Sequence, residues 1–145
     1  MPYAYRVAVT NGEYALVPTK TRNLAGVLEE VQPLLDRRVT IQEATRPISE
    51  HGRILGEQLS ARTGLHISCC QSFVAGVPWG VAKIRFGADD KPAREVLEAL
   101  IQLEQQTNAG GAIHPEYNHW EVSCDGTGSP WCFIDVAGRF SGRCK

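Results

Sequence analysis

VAKIRFGADDKPAREVLEALIQLE, residues 81–104, is the stretch on which the fold turns. In its first six residues Ala82, Ile84 and Phe86 alternate with Lys83 and Arg85, as a strand buried on one face requires. The period then changes. Ala93, Val96, Leu97, Leu100, Ile101 and Glu104 recur at helical spacing, only the last of them polar, and Asp89 or Asp90 stands where an N-cap is expected. A half-buried strand running into an amphipathic helix calls for helices packed on a sheet, an α+β domain.

Upstream, Ser49 is the expected N-cap of a second helix with an apolar stripe at Ile54, Leu55 and Leu59, and Gly64 sits where a left-handed C′ residue belongs. Val39 to Gln42 and Leu65 to Ser68 read as strands on either side of it. Another helix is expected from about Asn23, with Leu24, Val27, Leu28 and Val31 on its apolar side, Glu29 and Glu30 in solvent and Pro33 at its end.

At the N-terminus, YAYRVAVT and EYALVPT flank Asn11-Gly12, a pair suited to the positive φ angles of a type I′ hairpin turn. Pairing Thr10 with Glu13 puts Tyr3, Tyr5, Val7, Val9, Tyr14 and Leu16 on one face, with Ala4, Arg6, Ala8, Thr10, Glu13 and Thr19 on the other. One face must then be buried, on this domain's core or on a neighbour. Downstream, residues 105–118 read as a loop leading to a last hairpin, HWEVSC and WCFIDVA. The 145 residues, 43% hydrophobic, suit a single domain, 1–145, with an N-terminal hairpin over 1–22 and a core over 39–137 in which helix, strand, strand, helix and hairpin form a small mixed sheet under the helices.

In the last hairpin, setting Cys124 opposite Cys132 sets Val122 opposite Ile134 and Trp120 opposite Val136, so one face is apolar throughout. That parity points to a cross-strand disulfide, worth about 2.5 kcal/mol in the chain-entropy model. Glu121 then faces Asp135, with Lys83 and Arg85 as candidate neutralising cations, and Trp131 and Phe133 lie on the outer face. These two aromatics form a contact surface or are covered by another element. Cys69, Cys70 and Cys144 complete the five cysteines; one bridge from Cys69 or Cys70 to Cys144 and one free thiol is the preferred arrangement over an intermolecular bond.

Five cysteines and no CxxC suggest an oxidising compartment. The N-terminus lacks a signal-peptide pattern, so an extracellular or periplasmic protein is expected to have lost its leader; the alternative is a native Met1 and a cytosolic protein with free thiols. No apolar run reaches the ~20 residues of a membrane span. A net charge of −1 spread along the chain gives no footprint for nucleic acid. Expected partners are proteins: a second copy or an envelope protein.

Few residues point to chemistry. His66, Cys69, Cys70, His114 and His119 include soft metal ligands, but only the interval from His114 to His119 is near a familiar zinc spacing. Neither catalytic residues nor metal or cofactor ligands are therefore assigned. Gly126, Gly128 and Pro130 are explained by a hairpin turn rather than a phosphate loop. Trp79, in GVPWG, more often seals a core edge than stacks on a ligand.

ILGEQLSARTGLHIS, residues 54–68, followed by the 79–103 segment, resembles the short N-terminal (STN) module of secretins and TonB-dependent receptors. The likeness rests on Leu59, Ser60, Ala61, Thr63, Gly64 and Leu65 at the end of one helix and on Ala93, Leu97, Leu100 and Ile101 in the next. It implies a periplasmic or extracellular module that works through protein contact, with no catalytic residues to transfer. The preceding hairpin, the Cys69-Cys70 pair and the long 105–118 loop depart from that pattern.

The expectation is a non-catalytic extracytoplasmic interaction or structural domain that self-assembles into an oligomer or filament. One alternative is a small thiol- or metal-dependent enzyme using Cys69, Cys70 and His66. Another is a glycan or small-molecule binding module with Trp79 or Trp131 as its platform.

Overall fold

The computed structural model describes residues 4–10, 13–22, 25–69, 83–107, 117–124 and 131–138. Within them the chain is α+β, with two helices and three small sheets. The N-terminal sheet contains β1 (Ala4–Thr10), β2 (Glu13–Arg22) and β3 (Leu28–Glu30) in that spatial order. Thr10 pairs with Glu13, Val9 with Tyr14 and Val7 with Leu16, the register that the Asn-Gly turn predicts.

Beyond a 3-10 turn, Leu34–Asp36, comes β4 (Arg38–Pro47), then α1 (Ile48–Thr63) and β5 (His66–Cys69). β6 (Lys83–Pro92) pairs antiparallel with β4 and leads into α2 (Ala93–Thr107). The last hairpin is β7 (Tyr117–Cys124) and β8 (Trp131–Gly138), and β5 joins β8 in parallel to give the order β5-β8-β7.

Both helices cover these two body sheets: α1 packs on β4, β5 and β6, and α2 on β6, β7 and the 3-10 turn. The core between them contains Ile41, Ile48, Leu55, Leu59, Leu97 and Ile134, all at most 2% exposed. Burying a side chain of this size contributes about 1.5–3 kcal/mol.

α1 approaches β5 closely because Gly56 has no side chain. A Cβ there would stand 2.8 Å from the Ile67 carbonyl oxygen. Ser60 completes the junction, its Oγ accepting from the Ile67 amide at 2.9 Å. Gly64 ends the helix in the left-handed region at φ 72°, as the sequence predicts, and its N–H donates to the Ser60 carbonyl.

His51 ties α1 to β6. Its ring is fully buried, 3.3 Å from the Ile84 carbonyl through Nε2 and edge-on to Phe86. Donation from Nε2–H leaves Nδ1 as a bare acceptor, and Nδ1 has no partner among the described residues. Burial holds the imidazole below its ordinary pKa; the Ile84 contact opposes that shift without cancelling it.

Several expectations need correction. Residues around Val27 to Val31 form no helix: Leu28–Glu30 is an edge strand on β2, and Glu29 and Glu30 are exposed strand residues. β-pairing with Thr21 and Arg22 outweighs the local apolar spacing. Asn23 and Leu24 lie outside the described residues. Ser49 is inside α1 rather than at its cap, which is Pro47 without a side-chain cap bond. Asp89 and Asp90 belong to β6, so α2 begins after Pro92 instead of next to them, and it extends to Thr107, past the expected loop start at 105. The 39–42 strand is part of the longer β4, and the strand expected at Leu65 begins at His66.

Candidate interaction surface

In an antiparallel hairpin directly opposed residues share a face, so the observed register puts Tyr5, Val7, Val9, Tyr14 and Leu16 together. Among the described residues, this face is largely open to solvent. Tyr5 is 54% exposed, Val7 59%, Val9 60%, Tyr14 80% and Leu16 75%. Tyr3 lies outside the described residues. Single exposed hydrophobics are ordinary, but five sharing one sheet face form an apolar patch of the kind that marks an interaction site.

The opposite face turns to the body. Val17, opposite Arg6, is buried, and the Arg6 guanidinium binds the Asp36 carboxylate in the 3-10 turn. Asp36 also accepts from Arg94 of α2 at 2.8 Å. No local pattern signals this three-residue link, because its members are separated by 30 and 58 positions and none belongs to a motif.

A second exposed surface lies on the outer side of β5 and β8. Trp131 is 42% and Phe133 46% exposed, and neither a helix nor the N-terminal hairpin covers them. Their rings stack at 21° with centroids 6.4 Å apart, and His66 sits against Trp131 at 3.6 Å. His66 reaches this position because β5 pairs in parallel with β8, His66 opposite Trp131.

The last hairpin has the expected register: Cys124 opposite Cys132, Val122 opposite Ile134, Trp120 opposite Val136 and Glu121 opposite Asp135. The proposed cations are elsewhere. Lys83 and Arg85 belong to β6 in the other body sheet, and Arg85 binds Glu43 on β4 at 2.6 Å.

Cys69 and Cys132 are both buried on the core side, and each is disulfide-bonded. The Cys124 side chain lies outside the described ones, as do residues Cys70, Cys144, His114 and Trp79 and the turn at Gly126, Gly128 and Pro130. β5 does not bring the His66 and Cys69 side chains together: along the strand they alternate to opposite faces, His66 exposed and Cys69 buried. Among the described residues no three His, Cys, Asp or Glu side chains converge as metal ligands, and no helix is long and apolar enough to cross a membrane. No family model, curated protein or solved structure matches the chain.

Proposed function

We propose that this protein is a non-catalytic, extracytoplasmic interaction module that self-associates through the outer face of β1 and β2. The observation that carries the reading is the face made by Tyr5, Val7, Val9, Tyr14 and Leu16, apolar and open to solvent. The five side chains include no charge, so two copies can meet across a two-fold axis without opposing like charges. β1 is also the edge strand of its sheet among the described strands, and an edge strand can take a strand from a neighbour.

The resemblance of residues 54–103 to the STN module supports protein contact as the mode of action, and the number of cysteines supports an oxidising compartment. The cross-strand bridge between Cys124 and Cys132 belongs to the same proposal; intact mass before and after thiol alkylation tests it.

Sedimentation of the whole chain across a concentration series tests the self-association. The expected result is a mass above the 15.9 kDa monomer that rises with concentration, and a monomer for Val7→Glu and Leu16→Glu with unchanged circular dichroism. A wild-type monomer throughout, or assembly indifferent to both substitutions, contradicts the proposal.

A second reading takes the stacked, exposed Trp131 and Phe133 as a platform for sugar rings. Tryptophan fluorescence titrated with a panel of glycans, compared with Trp131→Ala, tests it: a response lost in the variant favours the platform, and no response across the panel removes it.

A further inference from the structure

A cavity of about 370 Å³ lies between the N-terminal sheet and the body, and of the side chains on the proposed self-association face Leu16 alone is among its described lining residues. Val17 and Pro18 of β2, Leu35 of the 3-10 turn, Leu65, Trp120 and Cys132 contribute to its walls. Among the described lining residues one is charged, Arg94. Its volume falls within the ~300–1,000 Å³ typical of small-molecule sites, where apolar walls and a few placed polar groups are the rule.

Arg94 is nearly enclosed and only partly paired. Its side chain is only 9% exposed. The guanidinium lies 5.5 Å from the centre of the Trp120 ring, and Nη2 donates to Asp36. That is one of five N–H donors; the others have no hydrogen-bond partner among the described residues. Asp36 is shared, since Arg6 binds the same carboxylate. Arg6 is half exposed and its charge is met by solvent, whereas Arg94 is nearly enclosed and shares its one carboxylate, so an anion in the cavity would find hydrogen-bond donors of Arg94 still open.

We infer that this cavity is a binding site for a small carboxylate with an apolar body, the carboxylate taking the free edge of Arg94 and the body filling the space among Val17, Leu35 and Leu65. The planar fork of arginine matches a carboxylate in a paired hydrogen-bond geometry that lysine cannot offer.

Isothermal titration of the whole chain with octanoate and 3-phenylpropionate, each beside its primary amide, tests the inference. The acids are expected to bind at about 1 mM or better and the amides about tenfold or more weakly. Arg94→Gln is expected to weaken acid binding by a similar factor. Val17→Phe fills the chamber, leaves the charges in place and is expected to abolish binding; Trp131→Ala, on the remote outer face, is expected to leave it unchanged. If Arg94→Gln does not fold, the comparison of acid with amide and the Val17→Phe result decide. Acids that do not bind, acids and amides that bind alike, or wild-type binding by Val17→Phe overturn the inference. Self-association through β1 and β2 can fail without affecting any of these outcomes.

Discussion

The two hairpins of this chain are built alike and used differently. Each places an apolar face where its turn-proximal register predicts it. β8 turns that face inward, so Ile134 and Cys132 are buried under the helices, and β5 docks alongside to extend the sheet. β1 and β2 turn theirs outward, and their inner face meets the body through Val17, the Arg6–Asp36 ion pair and the walls of a cavity. Strand alternation says which side chains travel together; it does not say which side of the sheet the rest of the chain will cover.

The largest effect that could break this contrast is a truncation in each hairpin. Ile134→Ala is expected to lower stability by about 2–4 kcal/mol, because it empties a core site with no solvent to fill it. Val7→Ala at low protein concentration is expected to change it by no more than about 0.5 kcal/mol. Urea unfolding measures both, and equal effects would mean that the outer face of β1 is buried within the monomer.

Gly56→Ala examines the docking of β5 that distinguishes the last hairpin. The added methyl meets the Ile67 carbonyl at 2.8 Å, so a loss of about 1–3 kcal/mol is expected in the same experiment. A neutral result would show that α1 and β5 are farther apart than described.

His51 sharpens the contrast through pH. Its folded-state pKa lies below the ordinary 6.5, so between the two values the unfolded chain binds more protons than the folded one. Stability from this group is present above 6.5 and is lost as pH falls through 6.5 toward the lower folded value. The slope is at most about 1.4 kcal/mol per pH unit. Unfolding midpoints between pH 7.5 and 5 are expected to fall for the wild type and to fall less for His51→Leu. Identical profiles would remove His51 as the source.

Arg6→Ala gives the smallest expected change, a few tenths of a kcal/mol in global stability, because the pair is half exposed. Its effect belongs in the attachment of the N-terminal sheet. Amide exchange is expected to quicken in β1 and β2 and to remain unchanged in β7 and β8.

Much of the architecture was legible in the sequence, for local reasons. Asn11-Gly12 fixed the register of the first hairpin, the matched Cys124 and Cys132 positions fixed that of the last, and the spacing from Ala93 to Glu104 located the buried face of α2. The segment around Val27 was misread because a helical period in so few residues yields to pairing with a neighbouring strand. Parallel docking of β5 on β8 joins residues over sixty positions apart, and no local pattern encodes it. The apolar hairpin face could be named in advance, though not its exposure. Arg94, Asp36 and Trp120 converge only in three dimensions, so the charged wall of the cavity was invisible.

A photo-crosslinker installed in place of Tyr14 tests whether the outer face of β1 and β2 meets the same face of a second copy. The expected product is a dimer whose crosslinked peptides both map to residues 4–22, lost on adding Val7→Glu. Crosslinks leading to the body of the same chain, or no crosslinked dimer at concentrations where the protein is assembled, would contradict the account.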